Sequence, residues 1–131
     1  IDVIIGMRDR ETASHRNYQR WAEITGALVA AGYYWQAAPT DGYCAALLQQ
    51  CRLFIGTDSG ASHLAALIGC PMLVFRCYDG TQNRLPEMQF FQPFRVVEDG
   101  WSHPSKVAEA ALEMLKERSE NADRQVLDHP R

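Results

Sequence analysis

The sequence predicts an α/β domain built on a parallel sheet of about five strands with helices on both faces. Three observations carry that prediction. Short apolar runs alternate along the chain with segments of helical period. The runs Val3-Ile4-Ile5, Leu53-Phe54-Ile55 and Met72-Leu73-Val74-Phe75 are apolar throughout rather than alternately polar, as strands buried on both sheet faces are. Glycine or proline punctuates most of the boundaries between runs.

The elements follow in order. Val3 to Ile5, closed by Gly6, reads as the first strand, and residues 7–16 as a polar loop. From Asn17 onward Trp21, Ile24, Leu28 and Val29 recur at helical spacing until Gly32 stops the pattern. Tyr33-Tyr34-Trp35 is aromatic and strand-like, ended by Pro39 and the turn-forming pair Asp41-Gly42. Residues 43–51 read as a second helix with Ala46, Leu47 and Leu48 inward, and Leu53 to Gly56 as the next strand. Ser62 to Ile68 lies in the helix that follows, Gly69 closes it, and Pro71 opens the strand Met72 to Phe75. Residues 77–93 carry no period. Phe94 to Val97 is a fifth strand, and Ser102-His103-Pro104-Ser105 sets up a last helix carried by Val107, Ala111, Leu112 and Leu115. From Glu120 the chain is mostly polar and is expected to fray or to be disordered. The domain is therefore read as residues 1–119, with a polar tail at residues 120–131.

At 131 residues, 47% apolar and 22% charged, the chain has the size and composition of one globular core. A net charge of −3 with scattered arginines gives no reason to expect nucleic acid or an anionic membrane as partner. No apolar run is long enough to span a bilayer and no secretory leader is visible, so the expected location is cytoplasmic. The chain enters a strand at once from Ile1, without a methionine, which reads as a trimmed start or a piece of something longer. Cys44, Cys51, Cys70 and Cys77 read as reduced, buried thiols, with Cys44 and Cys51 on one helix face. No C-x-x-C knuckle marks a zinc site, and no metal is expected.

In a parallel sheet of this kind ligands bind beyond the carboxyl ends of the strands. The loops after Gly6, Gly56 and Phe75 should therefore line one edge. The most informative of these is the segment at residues 54–66, Phe54-Ile55-Gly56-Thr57-Asp58-Ser59-Gly60-Ala61-Ser62-His63-Leu64-Ala65-Ala66. Gly56 and Gly60 permit a sharp strand-to-helix turn and close approach of a ligand to the backbone. Asp58 or Ser59 can cap the helix, and the N–H groups of residues 60–63 point out of its start, where the helix dipole favours a phosphate oxygen. Ser59, Ser62 and His63 add side-chain donors. The same residues also describe an ordinary capped helix whose glycine serves only the turn.

This segment resembles the D-S-G-x-x-H-L-A-A signature of the ADP-heptose:lipopolysaccharide heptosyltransferase family. Asp58, Ser59, Gly60, His63, Leu64, Ala65 and Ala66 match it, as do Ile55-Gly56 before it and Gly69-x-Pro71 after it. Members of that family have two Rossmann-like halves in the GT-B arrangement, and the motif lies in the C-terminal, donor-binding half. The resemblance implies a Rossmann-like fold and a nucleotide-diphospho-sugar as donor substrate rather than a separate cofactor. It places Asp58, Ser59, Gly60, Ala61, Ser62 and His63 around the diphosphate. A second segment, Val3 to Gly6 followed by Arg8, His15-Arg16-Asn17 and the Trp21 helix, resembles the start of the same half, where a basic residue contacts donor phosphate. Arg16 is the matching residue and Arg8 the weaker candidate, each with a solvated surface arginine as the plain alternative; a guanidinium fork suits phosphate.

The chain departs from the family in two places. The stretch from Gln36 to Arg52 is short and holds no glutamate for a ribose, leaving only Asp41, and Arg76-Cys77-Tyr78 replaces a glycine-bearing loop after Phe75. In the family the N-terminal half binds the acceptor and supplies the catalytic base. The implied partners are thus a nucleotide-sugar and either an acceptor domain or a second copy, and no catalytic residue is assigned within this chain. Two other readings are carried forward. One is a non-enzymatic, oligomeric module that retains the fold. The other is an α/β-hydrolase-like enzyme with Asp58 as nucleophile, His103 or His129 as base and Asp79 or Asp99 as orienter. His63 lacks partners at metal-ligand spacing, Trp21, Trp35 and Tyr43 read as core or rim packing, and Asp99-Gly100-Trp101 reads as a turn with an exposed or edge aromatic to which no function is assigned.

Overall fold

Strands β1 (Val3–Gly6), β3 (Leu53–Gly56) and β4 (Met72–Phe75) are buried along their whole length. Two less buried strands, β2 (Trp35–Ala37) and β5 (Phe94–Val97), flank them. The computed structural model describes residues 1–7, 17–39, 43–57, 60–76 and 92–128, of which residues 60 and 119–128 are described in backbone only. All five strands pair in parallel in the order β2-β1-β3-β4-β5. Among the described residues, helices α1 (Trp21–Ala30), α2 (Cys44–Gln50), α3 (Gly60–Ile68) and α4 (Pro104–Asp128) fall among the strands in chain order. This is the Rossmann-like α/β fold that the uniformly apolar runs predict.

The uniformity has a direct cause in the packing. On β1, Val3 and Ile5 face one layer and Ile4 the other; on β3, Leu53 and Ile55 oppose Phe54; on β4, Leu73 and Phe75 oppose Met72 and Val74. Each side chain that goes from exposed to fully buried stabilises the fold by about 1.5–3 kcal/mol, so a polar residue on either face would be costly. The first layer holds α1 and α4, through Trp21, Ile24, Leu28, Val107, Ala111 and Leu115. The second holds α2 and α3, through Cys44, Leu48 and Ala65.

Glycine ends two of these helices in the same way. Gly32 and Gly69 take φ values of +88° and +87°, the left-handed region that a side chain disfavours. The next residue then turns its N–H back to the helix: Tyr33 to the Leu28 carbonyl at 3.0 Å, and Cys70 to the Ala65 carbonyl at 3.1 Å.

Four expectations are corrected. Val29 is 60% exposed, because Trp21, Ile24 and Leu28 complete the buried stripe of α1 and Val29 lies about 100° round from Leu28. Ala46 is exposed, since Cys44 and Leu48, one turn apart, form the inward face of α2. Tyr33 and Tyr34 precede β2 instead of forming it; the Tyr34 carbonyl accepts from the N–H groups of Asp2 and Val3 and brings the strands into register. Finally, α4 continues through Asp128, past the polar onset at Glu120. That segment mixes the good helix formers Glu120, Ala122, Arg124, Gln125 and Leu127 with the weaker Asn121, Asp123, Val126 and Asp128, and holds no glycine or proline before Pro130. No helix among the described residues is long and apolar enough to cross a membrane.

Candidate functional site

The strand order reverses direction between β1 and β3, and the crevice at such a switch point, beyond the carboxyl ends of the strands, is where doubly wound sheets bind ligands. The two strands end there in glycines, Gly6 and Gly56, which are register partners. Neither position has room for a side chain. A Cβ on Gly6 would stand 2.6 Å from Cζ of Phe54, and one on Gly56 would stand 2.8 Å from Cε1 of Phe54 and 2.9 Å from Oγ of Ser62. Phe54 is fully buried, so its ring has nowhere to swing. The glycine pair thus makes the space that the Phe54 ring fills. Ala61 sits above Gly6, its Cβ 3.5 Å from the place a Cβ would occupy there.

The helix therefore begins directly over the switch point. Thr57, the last residue of the described turn, is buried, and its carbonyl accepts a hydrogen bond from the Ser62 hydroxyl. α3 starts at Gly60, with Ala61 half-buried, Ser62 buried, His63 exposed and Ala65 in the core. The structure so brings Gly60, Ala61, Ser62 and His63 onto one turn, as the sequence requires. It corrects one detail: the Ser62 hydroxyl braces the turn from inside and does not point outward as a ligand donor. His63 is the side chain of this turn that faces outward. Asp58, Ser59 and Arg16 lie outside the described residues, as does Arg8.

A second feature of this edge escaped the sequence reading. After β1 the described chain resumes at Asn17, and Tyr18 is the hub of an aromatic cluster at the carboxyl ends of β1 and β4. Its ring centroid lies 5.1 Å from Trp21, 4.9 Å from Phe75 and 4.9 Å from Trp101, each in edge-to-face geometry. Trp101 is thus half-buried packing and not a free edge aromatic. Gly100 permits this, because a Cβ there would lie 2.7 Å from both Phe75 Cβ and Val107 Cγ2. The Tyr18 hydroxyl and Trp21 Nε1 are buried without hydrogen-bond partners, and burial pushes the Tyr18 phenol up from its ordinary value. The glycine before Trp101 was the available signal, but residues so far apart in sequence share no period. Trp21 is core and Trp35 half-buried against it, as expected, whereas Tyr43 is exposed.

The described cations at this edge already hold acidic partners. Arg20 pairs with Glu23 at 3.0 Å and also donates to the Ser102 carbonyl at 3.2 Å. Arg76 pairs with Glu98 at 2.6 Å, joining the ends of β4 and β5, and Lys106 pairs with Asp99. The Lys106 ammonium, with smaller help from the Asp99 backbone, holds the Asp99 carboxyl below its ordinary value. His103 Nδ1 stands 3.6 Å from the same carboxylate. Both His103 and Asp99 are exposed and follow the edge strand β5, two strands from β3 or roughly 10 Å across the sheet. The other two members of the hydrolase reading, Asp79 and His129, lie outside the described residues. Cys44, Cys51 and Cys70 are buried thiols outside any disulfide, and Cys77 lies outside the described residues.

Fold and edge together define a doubly wound α/β domain whose switch point is capped by a glycine-flanked helix start. Comparison with protein-family models, with curated proteins and with solved structures finds no match to this chain.

Proposed function

We propose that this chain is a nucleotide-diphospho-sugar donor-binding domain of heptosyltransferase type. The observation that supports the reading is the placement of the α3 start over the paired glycines Gly6 and Gly56 at the switch point. A helix start there would turn its first N–H groups and the positive end of a dipole toward a diphosphate. Gly60, Ala61 and Ser62 would give backbone donors, His63 a side-chain donor, and Asp58 and Ser59 the turn that leads into them. Arg16 would supply counter-charge, a role the described cations of this edge do not fill because each is paired. Any glycosyl transfer would join the sugar's anomeric carbon to an acceptor hydroxyl and release the nucleoside diphosphate. The base that removes the hydroxyl proton would come from a second domain or chain.

The alternative of an oligomeric module without nucleotide binding draws on exposed apolar side chains, which among the described residues are Ile1, Val29, Tyr34, Tyr43 and Leu67; Ile1 and Tyr34 adjoin at the start of the β1–β2 pair, whereas Val29 and Leu67 lie on opposite layers. Scattered exposed residues of this kind are ordinary. Calorimetric titration with ADP and UDP tests the proposal. Saturable binding that weakens about tenfold or more on His63→Ala or Arg16→Ala is the expected result, in line with the loss of a charge-assisted contact. Absence of heat at millimolar nucleotide, or affinity indifferent to both substitutions, would overturn it.

A further inference from the structure

The opposite edge of the sheet carries a different chemistry. Cys51 ends α2 just before β3, and Cys70 follows the glycine closure of α3 just before β4. The parallel pairing of β3 and β4 brings these residues side by side, and their Sγ atoms stand 3.1 Å apart, one thiol donating to the other. That separation is within about 1 Å of a disulfide bond. Both residues line a cleft of about 280 Å³ at the amino ends of the strands, together with Gln49, Gly69 and Arg118. They are buried, at 7% and 3% exposure, yet the cleft gives a route to them from solvent. The Arg118 Nε is buried there without a hydrogen-bond partner.

We propose that Cys51 and Cys70 form a redox-modifiable dithiol that takes small-molecule disulfides through this cleft and closes to an internal disulfide. Cys51, the more exposed of the two in the cleft, is the attacking sulfur. Its hydrogen bond with Cys70 lowers its pKa from the ordinary thiol value, against the opposing effect of burial. Cys70 is the resolving sulfur: the bond to Cys51 and its own burial push it up, while the Arg118 guanidinium draws it down. In the first step the Cys51 thiolate attacks one sulfur of the incoming disulfide, forming a mixed disulfide and expelling one thiolate. In the second, the Cys70 proton passes to that expelled thiolate or to water, and Cys70 attacks the Cys51 sulfur and expels the second thiolate. Two protein thiols are oxidised, one small disulfide is reduced to two thiols, and the two protons end on those thiols. The internal disulfide would tie the end of α2 to the end of α3, the helix whose start caps the switch point.

Equilibration of the intact chain with oxidised and reduced glutathione at graded ratios, followed by alkylation, trypsin and mass spectrometry, tests the proposal. Trypsin leaves Cys51 in the peptide of residues 21–52 and Cys70 in that of residues 53–76. The expected product is the cross-link between these two peptides, two hydrogens lighter than their sum and increasing with the share of oxidised glutathione. Because Cys44 shares the first peptide, the same cross-link must persist in Cys44→Ala. In Cys70→Ser the reaction should stop at glutathione attached to Cys51, and in Cys51→Ser residue 70 should remain alkylatable. Full alkylation of both cysteines in the wild-type chain at the most oxidising ratio would overturn the proposal. So would a cross-link that disappears with Cys44.

Discussion

The two layers that cover the sheet are built from different materials. The α1/α4 layer is bulky: Tyr18, Trp21, Phe75 and Trp101 interlock over the ends of β1 and β4, with isoleucine, leucine and methionine beneath. Among the described residues the α2/α3 layer holds one fully buried aromatic, Phe54, beside cysteine, alanine, methionine and modest aliphatics. Bulk on the first side stabilises the fold through buried area and ring contacts. Smallness on the second side lets backbone and sulfur come close, at Gly6 and Gly56 under the start of α3 and at Cys51 and Cys70 below it. Both candidate sites lie on the layer with less bulk. The layers thus divide the work, one of stability and one of close approach.

The sharpest way to break that division is to remove bulk from the first layer. Phe75 is fully buried and touches Tyr18 and Trp21. Phe75→Ala is expected to destabilise by about 3–5 kcal/mol, the range for an aromatic cut back in a core, read by chemical denaturation with unchanged m-value. A loss below about 1 kcal/mol would show that the aromatic cluster is decoration, and that the layers do not differ in the way argued.

Much of this was legible in the sequence. The central strands, the glycine that ends α1 and the one that ends α3 all follow from local rules, because uniform apolarity and positive-φ glycine have few alternative explanations. The glycines of the switch point were legible as turn residues but not as a pair. Their pairing depends on β1 and β3 being neighbours, which only the crossover decides. The same holds for Tyr18 with Trp101 and for Cys51 with Cys70, where the sequence put Cys51 beside Cys44 on a helix face. The exposed Val29 and Ala46 illustrate the converse: an apolar residue at nearly helical spacing is one step of 100° from solvent. The polar end of α4 is a helix since propensity suffices where no breaker intervenes.

An intermediate effect is expected from adding bulk where the second layer excludes it. Gly56→Ala would place a methyl 2.8 Å from the Phe54 ring and 2.9 Å from the Ser62 hydroxyl. Overpacking of this kind costs about 1–3 kcal/mol. The origin of the strain can be isolated with Phe54→Leu, which makes room at the ring. In that background the cost of Gly56→Ala should fall by roughly 1 kcal/mol, a coupling measurable in a double-mutant cycle. Equal costs in both backgrounds would mean that the ring is not what the glycine accommodates.

The smallest effect belongs to the hydrogen bond that fixes the α3 start. Ser62 is fully buried and its hydroxyl donates to the Thr57 carbonyl, so Ser62→Ala removes one neutral bond and leaves that carbonyl without this donor. The expected loss is about 1 kcal/mol, or a fall in Tm of roughly 4 °C for a domain of this size. The comparison with His63→Ala is what gives the measurement its force. His63 is exposed on the same turn, so its removal should leave Tm nearly unchanged while weakening nucleotide, whereas Ser62→Ala should lower Tm first and affinity only through the loosened turn. If His63→Ala destabilised as much as Ser62→Ala and left affinity alone, the outward residue of this turn would be structural, and the division between a face that holds the fold and a face that approaches a ligand would end one residue earlier.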